Sequence, residues 1–292
     1  MDRHTIVFAL DKRQQKLADI LYGQKIICTW EEYERFSERE REKSIGEHIY
    51  VLPIAVTKLD KIPETKEKLK QELIKKKNNR DVIAVFGGLF NEEWKAFFKE
   101  WKIPYWDFMQ LSEVQEGNGW ITAEATVAEV LQLSPYSIWR QNVLITGYGC
   151  CGEKIAKVFS WLGANVTVVA RRKRVRERAE KDGFFAIDFA DIENYMKEID
   201  TVINTVPSLV ITSDIIKKMS KDMLIVDIAS GSGGTDFETA KEFDITTRHA
   251  LGLPGIYSTT SSAQLLEKAI VRYAPLHETI REDKSWIFQI VI

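Results

Sequence analysis

The feature that most constrains this chain is a glycine-rich segment of the form G-x-G-x-x-G at residues 147–152. It follows the apolar run Asn142–Thr146 and precedes a segment whose apolar residues, from Ile155 to Leu162, recur at helical spacing. In a strand–turn–helix unit, this pattern holds the pyrophosphate of a dinucleotide against the first turn of the helix. The residues predicted to bind the phosphates are Gly147, Tyr148, Gly149, Cys150, Cys151 and Gly152.

The end of the next apolar run, Asn165–Ala170, indicates which dinucleotide is bound. An enzyme that uses NAD carries an acidic residue there for the ribose 2′-hydroxyl. This chain has Arg171 and Arg172 instead. Because cations pair with a 2′-phosphate and no carboxylate repels it, we predict that the cofactor is NADP or NADPH. The following helix is expected to present a solvated basic face, formed by Arg174, Arg176 and Arg178.

Apolar runs of strand length alternate with helical patterns along the chain, which predicts an α/β fold with mostly parallel sheets covered on both faces. We predict a flavodoxin-like α/β domain over residues 1–120, which would bind substrate or a partner. An interdomain helix is predicted over 121–133, and it ends at Ser134-Pro135. A doubly wound Rossmann domain is predicted over 134–274. The tail 275–292 is apolar at its end and is expected to pack on the first domain or on a partner.

Composition argues against several other classes of protein. The 292 residues carry a net charge of −2, so no global field favours nucleic acid or an anionic membrane, and no apolar run is long enough to cross a bilayer. The three cysteines are too few for a disulfide framework, which indicates a cytosolic protein. Cys150 and Cys151 are expected to be small packing residues, and the four histidines form no metal pattern.

Three loops rich in glycine, proline or serine follow later predicted strands, at residues 204–208, 229–236 and 252–257. The carboxyl ends of parallel strands meet at one edge of a sheet, so these loops should border one cleft. Further cofactor contacts are predicted at Asn204, Thr205, Val206, Pro207, Ser230, Leu253 and Pro254. His249 is a lesser site candidate and is otherwise a structural histidine.

The same loops carry a family resemblance. The strings NTVPS at 204–208, DIAS at 227–230, GGTDF at 233–237 and GLPGI at 252–256 resemble the A subunit of dipicolinate synthase, as does the segment that contains Thr122 and Glu124. The resemblance covers nearly the whole chain. It implies an oxidoreductase that uses NADP to convert dihydrodipicolinate to dipicolinate in spore formation. It also implies a flavoprotein-like second subunit. Apart from the resemblance, we expect an oligomer and no nucleic acid or membrane partner.

Candidate reacting groups follow from this interpretation. Glu124, Ser208 and Asp236 are the predicted catalytic residues, with Glu124 as the acid/base or substrate-orienting group. The alternative for Glu124 is a carboxylate in the first turn of a helix, where the helix dipole favours it. The predicted substrate-binding residues are Thr122, Ser208, Ser230 and Gly255, and no metal ligand is predicted.

The chain departs from the family pattern at three places. One is the segment Ala9-Leu10-Asp11, where the family has a glycine-rich turn after the first strand. The other two concern cations. Gly231-Ser232 stands where the family has Arg-Pro, and Ser258–Ser261 occupies a stretch in which the family has a lysine. A substrate with two carboxylates favours such cations. Two other hypotheses therefore stay open: a different two-domain dehydrogenase, of the hydroxy-acid or shikimate type, and a non-catalytic protein that binds NADP as a scaffold for a partner.

Overall fold

A computed structural model describes residues 2–22, 27–29, 46–79 and 82–274. The chain forms two compact units. Unit 1 contains the described residues of Met1–Val114 and of Ala263–Ile292, and unit 2 is Gln115–Ser262. The last helix therefore groups in part with unit 1, whereas the sequence assigned it to the nucleotide-binding domain. The predicted tail 275–292 lies outside the described residues.

Unit 1 is built on a parallel five-stranded sheet with the strand order β2-β1-β3-β4-β5. This is the strand order of flavodoxin-like folds, which the sequence analysis predicted for the first domain. The strands are β1 (Asp2–Val7), β2 (Ile27–Thr29), β3 (Gly46–Ile54), β4 (Val82–Gly88) and β5 (Tyr105–Asp107). The helices that lie wholly in this unit are α1 (Lys12–Tyr22), α2 (Pro63–Asn78) and α3 (Glu92–Glu100).

Unit 2 is built on a parallel six-stranded sheet, β11-β10-β9-β6-β7-β8. Counted within the unit, this is the Rossmann order 3-2-1-4-5-6 read from the other edge. The strands are β6 (Asn142–Thr146), β7 (Asn165–Val169), β8 (Phe185–Ile187), β9 (Thr201–Asn204), β10 (Leu224–Asp227) and β11 (Thr246–His249). The helices are α5 (Cys150–Trp161), α6 (Lys173–Lys181), α7 (Ile192–Tyr195), α8 (Ser213–Ile216), α9 (Phe237–Glu242) and α10 (Leu253–Tyr257).

Two helices cross the boundary between the units, α4 (Ser112–Leu133) and α11 (Thr259–Tyr273). The predicted start of α4 at residue 121 is wrong, because the helix begins at Ser112 and runs through the segment Gly117-Asn118-Gly119. Each glycine weakens a helix by about 1 kcal/mol. Packing compensates here, since a Cβ on Gly119 would lie only 3.2 Å from the Cys150 sulfur.

The central strands of unit 2 are apolar on both faces because helices cover both of them. Val143, Ile145 and Phe159 belong to the core on one face. Leu144 and Val202 belong to the core on the other face, and all five of these side chains have no exposed area. This rigid sheet positions the loops at its carboxyl edge. No helix within the described ranges is long and apolar enough to cross a membrane.

Candidate dinucleotide-binding site

The glycine-rich turn between β6 and α5 has the geometry that a pyrophosphate requires. Gly147 has a φ of +86°, and its N–H donates to the Val169 carbonyl at 2.8 Å. A Cβ on Gly152 would lie 2.3 Å from the Gly147 carbonyl oxygen, so only glycine lets the helix approach the strand this closely. Beside Gly149, by contrast, no described atom lies within 4 Å of a Cβ position.

Gly149 is also the N-cap residue of α5, and no side chain caps the helix there. The first N–H groups of α5 lack partners within the helix, and the dipole places partial positive charge at this end. Gly149 is exposed, so a ligand can reach these groups. Open space, free N–H groups and positive potential together fit the pyrophosphate of a dinucleotide.

Tyr148, between the first two glycines, is held from three sides. Its side chain is 3% exposed, and its hydroxyl donates to Asp182 at 2.7 Å. The Arg178 guanidinium lies over the ring at 5.0 Å and donates to the Tyr148 carbonyl. Burial and the Asp182 carboxylate raise the pKa of Tyr148, so the phenol stays protonated. The hydroxyl and the carbonyl of Tyr148 are therefore both engaged within the protein.

The end of β7 carries the predicted cations. Arg171 and Arg172 are both exposed, and Arg172 is the N-cap residue of α6. Arg176 donates to the carbonyls of Ala170 and Arg171 at 2.7 and 2.9 Å, and it pairs with the Asp188 carboxylate. The expectation of a merely solvated face is wrong for Arg176 and for Arg178. Arg176 holds two carbonyls at the end of β7, and Arg178 holds the Tyr148 carbonyl in the glycine-rich turn.

A buried polar network links the carboxyl ends of three neighbouring strands, β6, β9 and β10. Thr146 donates to the side-chain oxygen of Asn204, whose amide donates to Asp227 at 2.9 Å. Asn204 and Asp227 have no exposed area. Asp227 also accepts bonds from the Ala229 and Gly234 N–H groups and from the Thr235 hydroxyl, at 2.9, 2.8 and 2.7 Å.

This network fixes the loops that the sequence assigned to the cofactor. Thr205 donates through its hydroxyl to the Thr146 carbonyl at 2.7 Å, so this side chain is engaged within the protein. Val206 lies between Thr205 and the exposed residues Pro207 and Ser208. Ser230 is exposed at the start of the next loop.

Asp236, a predicted catalytic residue, caps α9. Its two carboxylate oxygens accept from the backbone N–H and the hydroxyl of Thr239, at 3.0 and 2.8 Å. The bond from the Thr239 N–H lowers the pKa of Asp236. These contacts describe a helix cap, and they leave the predicted catalytic role of Asp236 as a proposal.

The other predicted catalytic and substrate residues lie on α4 and α10. Glu124 is exposed and lies more than three turns from the start of α4, so the expectation of a first-turn carboxylate is wrong. Thr122 is buried, and its hydroxyl donates to the Asn118 carbonyl at 2.7 Å. On α10, Leu253 and Pro254 are buried, and the Gly255 N–H donates to a loop carbonyl.

Sequence reasoning missed Glu129, a buried carboxylate of α4 that holds α10. Its side chain accepts from the Tyr257 hydroxyl at 2.9 Å and pairs with Arg248 at 3.2 Å. Spacing along α4 gives no sign of this role, because both partners lie far away in sequence. The contact ties the loop at 252–257 to α4.

Cys150, Cys151 and His249 behave as the structural interpretation predicted. Burial raises the pKa of each thiol, which keeps it in the unreactive protonated form. A ring nitrogen of His249 lies 3.1 Å from the Ala229 carbonyl, and its ring packs against Phe237. Within the described part of the chain, no group of His, Cys, Asp or Glu residues could hold a metal ion.

A family model described as the alanine dehydrogenase/PNT, C-terminal domain matches residues 122–287, which include all of the glycine-rich site. The chain belongs to the alanine dehydrogenase/PNT C-terminal domain family. Members of this family bind a nicotinamide dinucleotide. The match thus agrees with the glycine-rich turn at Gly147–Gly152. It also identifies this protein as one of the dehydrogenase type.

The curated relatives of this protein fall into two groups. It is 29% identical to the A subunit of dipicolinate synthase of Bacillus subtilis over 224 residues, which cover 75% of each protein. It is 36% identical to alanine dehydrogenase of Staphylococcus haemolyticus over 160 residues, or 46% of the chain. The matched region covers only 42% of that alanine dehydrogenase.

Solved structures give the same resemblance. The A subunit of dipicolinate synthase from Bacillus subtilis is 30% identical to this protein, with a TM-score of 0.62. The match covers 65% of this protein and 64% of the Bacillus subtilis chain. The A subunit from Bacillus halodurans has a TM-score of 0.75 over 94% of this chain and 98% of its own. Its identity is 21%, so it shows that the fold is shared. The resemblance to the A subunit of dipicolinate synthase, recognised from the sequence, is thus confirmed.

Proposed function

We propose that this chain is an NADP-dependent oxidoreductase subunit which, like the dipicolinate synthase A subunit that it resembles, oxidises dihydrodipicolinate to dipicolinate in spore formation. The observation that carries the proposal is the open helix N-terminus at Gly149, with exposed Arg171 and Arg172 at the end of the neighbouring strand. The similarity to the Bacillus subtilis protein over 75% of the chain supports the choice of substrate.

The chain's own residues divide the binding of NADP between them. Gly147, Gly149 and Gly152 form the cradle for the pyrophosphate. Arg171 and Arg172 pair with the 2′-phosphate, and charge-assisted bonds to both guanidinium groups favour NADP over NAD. When bound, the cofactor supplies the hydride acceptor for the dehydrogenation.

The ring of the substrate must also lose a proton when it becomes aromatic. Glu124 is the proposed base, because its carboxylate is exposed on α4 and accepts no hydrogen bond among those observed in unit 2. Ser208 and Ser230 are exposed hydroxyl groups at the loops after β9 and β10, and they are proposed to bind a carboxylate of the substrate. Thr122, Gly255 and Asp236 are the remaining proposed substrate contacts, with Asp236 also a catalytic candidate.

A second subunit is part of the proposal. The Bacillus subtilis relative is named as one subunit of its enzyme. In this chain, Gly231, Ser232 and Thr260 are exposed and carry no positive charge where a dicarboxylate favours cations. A flavoprotein-like partner that supplies those cations would complete the site in the assembled oligomer.

A second candidate is a dehydrogenase for another small acid. The observation that favours it is the 36% identity to an alanine dehydrogenase, which exceeds the identity to the dipicolinate synthase relative. That match covers 46% of the chain, and it supports a shared cofactor site more directly than a shared substrate.

The test is hydride transfer by the purified chain, alone and with the partner subunit. Dihydrodipicolinate is generated in the assay mixture. The formation of NADPH is measured by the absorbance of the reduced nicotinamide, and the formation of dipicolinate by the ultraviolet absorbance of the pyridine ring. Equal formation of both products supports the proposal. Turnover of L-alanine or a hydroxy acid instead supports the second candidate. NADP binding without turnover of any of them supports the scaffold hypothesis.

A further inference from the structure

The carboxylate of Asp227 lies between the two loops that follow β9 and β10. Asp227 is the last residue of β10 and has no exposed area. Its partners are the Asn204 amide, the Ala229 and Gly234 N–H groups and the Thr235 hydroxyl. All four partners donate, so this group serves only as an acceptor.

A buried carboxylate carries a large desolvation penalty unless its hydrogen bonds are satisfied. Asp227 is satisfied almost entirely by loop groups and by one strand-end amide, not by a cation. If this position only had to fill space in the core, an apolar residue would stabilise the fold equally well. A carboxylate at position 227 is explained if its hydrogen bonds are needed to fix the shape of the loops that follow β9 and β10.

The two loops that Asp227 joins are pressed against each other. A Cβ on Gly234 would lie 2.3 Å from the Val206 carbonyl oxygen and 2.5 Å from that of Ser208. The N–H groups of Val210 and Ile211 both donate to the Gly234 carbonyl at 2.9 Å. A shift of one loop therefore displaces the other.

The same network reaches the phosphate cradle. Asn204, which donates to Asp227, accepts from Thr146, and Thr205 donates to the Thr146 carbonyl. A Cβ on Gly147 would lie 2.5 Å from the Thr205 hydroxyl, so the glycine-rich turn rests on this loop. At this edge of a Rossmann sheet, the strands β6, β9 and β10 end where the nicotinamide half of a dinucleotide must lie.

We propose that Asp227 is a positioning residue that holds the 205–208 and 229–235 loops in the shape that receives the nicotinamide half of the cofactor. The inference rests on the proposed dinucleotide site and deepens it. It predicts a selective effect. Loss of the Asp227 acceptor weakens contacts to the nicotinamide half, whereas contacts to the adenosine half, at the end of β7, stay intact.

The experiment compares Asp227→Asn with Asp200→Asn. Both variants change a carboxylate to an amide of the same shape. The Asp200 side chain accepts from the Asn142 N–H at 2.7 Å, at the opposite edge of the same sheet, so it is a matched control. In Asp227→Asn, an amide N–H faces donors that previously met an oxygen. Thr235→Val removes a single donor and serves as a milder variant.

Each protein is titrated with NADPH and with 2′,5′-ADP, a probe that has the adenosine and 2′-phosphate but no nicotinamide. Asp227→Asn is expected to weaken NADPH binding at least about tenfold. It should also remove the fluorescence change of the bound nicotinamide, and leave the affinity for 2′,5′-ADP unchanged. Asp200→Asn should behave as wild type. Thr235→Val should show the same selective loss to a smaller extent, and it decides the matter if Asp227→Asn does not fold.

Equal weakening of NADPH and 2′,5′-ADP by Asp227→Asn would show a general structural role and overturn the inference. Unchanged NADPH binding in a folded Asp227→Asn protein would overturn it as well. If wild type binds neither probe, the proposed dinucleotide function fails, and this inference fails with it. The wild-type titration thus separates the two failures.

Discussion

The carbonyl oxygen of Gly147 lies 2.3 Å from the point that a Cβ on residue 152 would occupy. Because that oxygen belongs to the backbone, the clash cannot be relieved by rotating a side chain. The contact joins the turn after β6 to the first helical turn of α5. It makes glycine a requirement of folding at position 152. At position 149 the space is open, so glycine there serves the proposed binding of a dinucleotide.

We expect Gly152→Ala to lower the free energy of unfolding by about 1–3 kcal/mol, as overpacking does elsewhere in close-packed cores. Gly149→Ala is the matched control, because the space beside Gly149 is open and its backbone is extended. Chemical denaturation of both variants gives the comparison. Equal stability of the two alanine variants would contradict the argument.

We expect Gly149→Val to fold like wild type and to lose dinucleotide binding. The branched side chain would fill the open space through which a pyrophosphate reaches the first N–H groups of α5. Calorimetric titration with NADPH measures the loss, and a circular dichroism melt checks the fold. A folded Gly149→Val protein with wild-type affinity would show that the phosphates bind elsewhere.

We expect wild type to bind NADPH more tightly than NADH, and the double variant Arg171→Ala/Arg172→Ala to lose that preference. A charge-assisted hydrogen bond contributes about 1.5–3 kcal/mol, which corresponds to roughly 10- to 150-fold in affinity. Arg174→Ala is the control, since it removes an exposed cation from the first turn of the helix that follows, α6. Equal affinity of wild type for both cofactors would contradict the assignment.

We expect Glu124→Gln to reduce turnover by about 10²–10⁴, the usual contribution of a general base. The substitution keeps the shape of the side chain and removes its ability to take a proton. The rate is measured with the partner subunit present. Glu177→Gln, another exposed helix carboxylate, controls for the loss of charge. Near-wild-type turnover of Glu124→Gln would direct the search to Ser208 and Asp236.

We expect the Asp236 cap to make the free energy of unfolding depend on pH in the acid range. Its bond from the Thr239 N–H lowers its pKa below the ordinary value of 3.8. A carboxylate whose pKa is lowered on folding stabilises the protein above its unfolded pKa, and this stabilisation is lost as the pH falls through the folded pKa. Asp236→Asn keeps a capping side chain that does not titrate.

Urea denaturation between pH 6 and the acid limit measures this dependence in wild type and in Asp236→Asn. The stability difference between the two proteins should be largest at pH 6 and should shrink as the solution is acidified below the ordinary carboxyl pKa. A difference that is constant with pH would show that the Asp236 carboxylate does not contribute through its charge.

Local pattern was enough to predict most of the strands and the glycine-rich turn. The run Asn142–Thr146 was predicted at its observed bounds, because a strand buried on both faces is continuously apolar. The short strand Phe185–Ile187 was missed, since three residues between Gly183 and Asp188 show no period. The early start of α4 was missed because its two glycines favour a turn. The close contact of Gly119 with Cys150 of α5 forms only in the folded protein.

The sequence by itself determined two α/β units and a glycine-rich turn between a strand and a helix, because hydrophobic period and the steric freedom of glycine act over a few neighbouring residues. Only the tertiary structure decided the roles of Asp227, Glu129 and Arg176. The partners of Glu129 lie far along the chain, as Tyr257 does. The partners of Asp227 and Arg176 include nearer residues, but the folded loops and strand ends decide which of them come into contact. A polar side chain acquires such a role only when folding brings its partners within hydrogen-bonding distance and removes water from around them.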